Sequence, residues 1–120
     1  MSHLDQIVQR YLDVFNETDQ DERRERLAHL FSADGTYTDP HVDLHGPEQI
    51  DAFIGATHER FPGFRFTLGS EIDAHHNQVR FQWHAGPAGA AEPTYVGFDV
   101  LVTDGERVRS VYGFMDSAPA

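Results

Sequence analysis

The residues best suited to chemistry cluster in Asp39-Pro40-His41-Val42-Asp43-Leu44-His45, where an ionisable side chain recurs at every second position. In an extended chain such residues share one face, about 6.5–7 Å apart. Aspartate and histidine on one face are the ligand types of a zinc or iron site. The pattern equally fits one catalytic carboxylate, Asp39, with bystanders, or a solvated strand edge. Pro40 interrupts the strand and the segment runs directly into a helix, so no metal is expected; His41, Asp43 and His45 then form an exposed rim. A second acid, Asp99, lies in the middle of the apolar run Tyr95-Val96-Gly97-Phe98-Asp99-Val100-Leu101-Val102. A carboxyl so placed must be paired, protonated or open to a pocket. Tyr11 sits on an apolar helical stripe, either as a core tyrosine with a satisfied hydroxyl or as a hydrogen-bond donor to a ligand.

The elements that position these groups can be read from periodicity. Leu4, Ile7, Val8, Tyr11, Leu12 and Phe15 recur at three and four residues and predict a first helix. Asp19 with Glu22 has the form of a capping box for a second helix that buries Leu27, Leu30 and Phe31. Gly46-Pro47 opens a third, burying Ile50, Phe53, Ile54 and Phe61. From Phe64 the period becomes two and predicts strands over 64–73, 78–85, 94–103 and 107–115, with an early strand at 36–39. The turns between them are His75-His76-Asn77, with the two imidazoles pointing apart, the Gly/Pro loop 86–93, and Thr103-Asp104-Gly105-Glu106. Alternation places Phe81, Trp83 and Ala85 on one face of their strand, and Arg80, Gln82 and His84 on the other. Asp99 falls on the face opposite the wholly apolar set Val96, Phe98, Val100 and Val102. Helices followed by a meander define an α+β domain with helices on one face of a curved sheet. The apolar outer face, extended by Tyr112 and Phe114, predicts a homodimer.

Composition bounds the class. The chain of 120 residues is one domain, 1–120, and its nine phenylalanines argue for a folded core. It contains no cysteine, which excludes disulfide and thiolate chemistry. The net charge of −11 repels nucleic acid and anionic lipid. With no apolar run near the length of a membrane span and no export leader, the expected location is the cytoplasm.

Ile7-Val8-Gln9-Arg10-Tyr11, Leu30-Phe31-Ser32-Ala33-Asp34-Gly35-Thr36, Asp39-Pro40 and Gly46 together resemble the nuclear transport factor 2-like superfamily, in particular its SnoaL-like and ketosteroid-isomerase-like branches. The likeness runs from about Leu4 to Met115. It implies a cone-shaped, cystatin-like fold in which a curved antiparallel sheet wraps three N-terminal helices around an apolar pocket. It also implies roles: Asp39 as general base, with Tyr11 and Asp99 as oxyanion donors. Ketosteroid isomerase keeps its second donor, a carboxylic acid, neutral in an apolar site, and the resemblance implies the same environment for Asp99. Such a trio performs proton transfer α to a carbonyl, as isomerisation or polyketide-cyclase-like aldol closure, without metal or organic cofactor. Phe66, Phe81, Trp83, Val111 and Met115 would line the pocket for a small, apolar, carbonyl-containing molecule. The sequence departs from the isomerases at Ile54 and Phe31, which offer no supporting hydroxyl. A non-catalytic hydrophobic-ligand-binding or dimerisation module of the same fold is the alternative.

Overall fold

The computed structural model describes residues 3–119. Three helices, α1 (His3–Asn16), α2 (Gln20–Leu30) and α3 (Pro47–Arg60), pack against a seven-stranded sheet. Its strands are β1 (Phe31–Thr38), β2 (Asp43–His45), β3 (Phe64–Leu68), β4 (Asp73–His75), β5 (Gln78–Pro87), β6 (Tyr95–Asp104) and β7 (Arg107–Ser117). The order is β2-β1-β7-β6-β5-β3, with β4 also paired to β5. The α+β class and the curved, open sheet match the expectation. Two details differ. The sheet is mixed, because β1 runs parallel to β7, and a further short strand, β2, lies between the early strand and α3.

α1 buries the expected stripe, with Ile7, Val8, Tyr11, Leu12 and Phe15 joined by Val14. At its end the Asn16 amide donates to the Phe66 carbonyl and accepts from the Phe66 N–H, both at 2.8 Å, which fastens the helix to β3. Asp19 caps α2 through the Asp21 N–H. The reciprocal half of the box is supplied by Glu17, which accepts from the Asp19 N–H, whereas Glu22 pairs with Arg26. Phe31 is buried as expected, but it ends the helix and begins β1.

β1 is longer than the sequence pattern indicated, and the expected strand 64–73 is broken in two. Gly69 still donates to Gln82, but the Ser70 hydroxyl then takes the Gln82 N–H from the backbone ladder, and pairing resumes only at Asp73. The imidazoles of His75 and His76 do not point apart; their Nδ1 atoms lie 3.0 Å from each other.

α2 and α3 are joined by an ion pair that the sequence did not announce. Arg23 Nε–H donates to Asp51 Oδ1 at 2.7 Å and Arg24 Nε–H to Oδ2 at 3.0 Å, while Arg23 also holds the Glu17 carbonyl. Arg23 and Asp51 are almost fully buried.

Candidate active site

The opening motif is not one strand. β1 ends at Thr38, residues 39–42 turn, and β2 returns with Thr38 opposite Asp43. Asp39 therefore does not share a face with three other ligands. Its Oδ1 accepts from the backbone N–H groups of His41 (2.8 Å) and Val42 (3.0 Å), the side-chain-to-backbone turn that aspartate before proline favours. His41, Asp43 and His45 are exposed. Among the described residues no group of three or more His, Cys, Asp or Glu side chains is placed to hold a metal ion.

Strand register brings the two candidate acids together. In the parallel pairing Thr38 lies opposite Tyr112, so Asp39, one residue on, comes up beside Gly113. In the antiparallel pairing of β6 with β7, Asp99 lies opposite that same Gly113. A Cβ at position 113 would sit 2.9 Å from Asp99 Oδ1 and 3.2 Å from Asp39 Cβ, so the absence of a side chain there is what lets both carboxyls occupy the inner face.

α1 supplies the third group. Tyr11 Oη–H donates to Asp99 Oδ2 at 2.8 Å in the buried interior. Asp99 Oδ1 accepts from the Trp83 indole N–H at 3.1 Å. Burial penalises the Asp99 charge most and raises its carboxyl; the bonds from Tyr11 and Trp83 pull it back, and the Asp39 charge raises it again, leaving it at about 6 instead of 3.8. It is therefore mostly ionised at neutral pH and becomes an acid only as the pH falls through that value. Burial and the nearby Asp99 charge push the Tyr11 phenol well above its ordinary value, so the hydroxyl keeps its proton.

Sequence reasoning missed Tyr37. Its hydroxyl donates to Asp39 Oδ2 at 2.8 Å, while its ring packs between Phe15 (centroids 5.8 Å apart) and Phe53 (5.4 Å). Burial first, then the Asp99 and Asp39 charges, raise its phenol as well. The signal was present: in a strand, residues 37 and 39 share a face. The site is thus two tyrosine–carboxylate pairs, Tyr37–Asp39 and Tyr11–Asp99.

Of the residues expected to line a pocket, Phe81 and Val111 are fully buried, and Phe66, Trp83 and Met115 are half-buried. The Phe66 and Trp83 rings meet edge to face, 6.1 Å between centroids. Trp83 is more than a wall, because its N–H is committed to Asp99. Two hollows of about 390 and 310 Å³ lie elsewhere, one against the 86–93 loop with Arg65, Thr67 and His84, the other between Asp13, Asn16, Glu17, Thr18, Arg26 and Arg65. Neither is lined by Tyr11, Asp39 or Asp99.

An open, curved mixed sheet packed against three helices is the nuclear transport factor 2-like, or cystatin-like, architecture. Residues 8–111 match the SnoaL-like domain, and the chain belongs to the SnoaL-like family. It is similar to a proposed isomerase of that family from Agrobacterium tumefaciens, with 32% identity over 98% of this chain and 100% of the other, and a TM-score of 0.91. A proposed ketosteroid isomerase from Kribbella flavida shares the fold at 19% identity (TM-score 0.70; 95% and 78% of the two chains). So does a proposed polyketide cyclase from Sinorhizobium meliloti at 15% identity (TM-score 0.72; 94% and 99%). No curated protein matches the chain.

Proposed function

We propose that the protein is a cytoplasmic, cofactor-independent acid/base enzyme that transfers a proton α to a carbonyl of a small apolar molecule. The observation that carries this reading is the convergence of Asp39 and the Tyr11–Asp99 pair at Gly113. Asp39 takes the α-proton, the C–H electrons move into the carbonyl, and the enolate oxygen receives a hydrogen bond from Tyr11 supported by Asp99. Returning the proton at a different carbon gives isomerisation; attack of the enolate on a second carbonyl gives aldol closure. Phe66, Phe81, Trp83, Val111 and Met115 supply the apolar walls.

The test is turnover of a β,γ-unsaturated ketone. Asp39→Asn should abolish it while leaving binding of a phenol that mimics the enolate largely intact, since the donors remain. A weak wild-type rate unchanged in Asp39→Asn would contradict the assignment. One observation favours a second reading. The hollow against the 86–93 loop, about 390 Å³, lies away from the trio, as a ligand site would in a non-catalytic binding or dimerisation module.

The quaternary part of the proposal is a homodimer through the outer sheet face. Tyr112 and Phe114 are 47% and 50% exposed, and Phe114 stacks on Phe98 with ring centroids 4.8 Å apart. Val96, Val100 and Val102 continue this surface. An uncovered apolar face of that kind marks an association site. Sedimentation equilibrium at micromolar concentration should give a dimer; a monomer would contradict it.

A further inference from the structure

Trp83 occupies a place that an ordinary pocket wall would not need. Its ring lies so close over Gly97 of the neighbouring strand that a Cβ there would collide with Cζ2 and come within 2.7 Å of Cε2. That close approach delivers the indole N–H to Asp99 Oδ1, the same oxygen that fills the space left by Gly113. The other oxygen, Oδ2, is taken by Tyr11. Asp99 is only 4% exposed, so it has neither a vacant oxygen nor open surface to offer a substrate directly.

We infer that Trp83 is a positioning residue for the proposed reaction: it locks Asp99 Oδ1, presents Oδ2 to the Tyr11 hydroxyl, and makes Asp99 act on a bound oxyanion through Tyr11. The two acid groups then work in series, with Tyr11 alone touching the substrate. This rests on the proton-transfer reading above and departs from the parallel arrangement of two donors that the family resemblance implies. Series action has a chemical consequence. When Asp99 carries a proton, it donates to the Tyr11 oxygen and frees the Tyr11 proton for the oxyanion; when ionised, it holds that proton for itself. The other titratable groups facing Asp99 are Tyr37 of β1 and Asp39 at its end; Gly113 of β7 contributes no side chain, and Trp83 of β5 contributes only its N–H.

Trp83 is the single tryptophan of the chain, so its indole N–H is one resolved NMR resonance. Across about pH 4 to 8 this resonance should move with the ionisation of Asp99, with a midpoint at about 6, and Asp99→Asn should abolish the transition. Trp83→Phe keeps an aromatic ring but removes the donor, so the Asp99 carboxyl, followed by carbon-detected NMR, should titrate at higher pH than in wild type. The kcat profile of Trp83→Phe should shift in the same direction, with KM little changed. An indole resonance that ignores pH, or an Asp99 midpoint unmoved in Trp83→Phe, would overturn the inference. Both spectroscopic results are obtained without turnover, so a chain that isomerises nothing leaves them readable. If Asp99→Asn does not fold, the wild-type indole titration and Trp83→Phe decide alone.

Discussion

Asp51 and Asp99 are the same residue type, buried to nearly the same extent, at 2% and 4% exposure, yet they are pushed in opposite directions. Between α2 and α3, desolvation works against the Asp51 charge, but hydrogen bonds from Arg23 and then Arg24 outweigh it and hold the carboxyl below its ordinary value. Under the sheet, Asp99 receives only a hydroxyl and an indole N–H, and faces the charge of Asp39, so desolvation prevails. Burial alone therefore does not raise a carboxyl; burial without a cation does. The helical pair is a fastener whose charge is fixed. The sheet acid is left able to exchange a proton near neutral pH.

The contrast can be broken from either side. The largest effect is expected at the fastener. Asp51→Ala leaves the buried Arg23 guanidinium uncompensated and should cost about 3–5 kcal/mol in urea denaturation, with little change in the Asp99 titration.

At the sheet the effect depends on pH and has a definite sign. The folded-state value of Asp99 is raised, so its contribution to stability is fully present below its ordinary 3.8 and is lost as pH rises through about 6. Asp99→Asn removes this dependence. Relative to wild type the variant should therefore gain as the pH climbs through that window, by about 3 kcal/mol, measured from urea midpoints at several pH values. A constant difference would mean that the acid is not desolvated.

Tyr11→Phe sharpens the comparison by removing one of the two donors on Asp99. It should cost about 1–3 kcal/mol, raise the Asp99 midpoint further, and lower kcat by about 10²–10³-fold. The smallest effect is expected of Gly113→Ala. The added methyl must displace Asp99 Oδ1 or Asp39, which should cost about 1 kcal/mol in thermal or urea unfolding and lower turnover more than stability.

What could be read from the sequence follows the range of the forces involved. The helix stripes are local patterns, and the inward direction of Asp99 follows from alternation with Val96, Phe98, Val100 and Val102. The structure buries Asp99 and most of the stripes, while Leu4, Phe53 and Phe61 are only half-buried and Phe61 lies just past the end of α3. Asp39-Pro40 announces a turn for equally local reasons, but the three-residue return strand β2, which pairs with β1 before the third helix, is too short to show in the pattern. Long-range pairings were not legible. Nothing in the charged run 20–26 marks Arg23 as buried, because its partner Asp51 lies 28 residues on, in another helix. The parallel register of β1 with β7, which brings Asp39 to Gly113, leaves no trace in either strand alone. Trp83 was placed on the correct face, but its bond to Asp99 depends on Gly97 opposite it across β5 and β6.

One titration tests the central claim, that the two buried acids differ because only one has cations. Carbon-detected NMR of the aspartate side-chain carboxyls resolves both in a single pH series. Asp99 should titrate at about 6, and Asp51 below its ordinary 3.8. An Asp99 carboxyl that titrates at its ordinary 3.8, or an Asp51 that rises alongside it, would contradict the account.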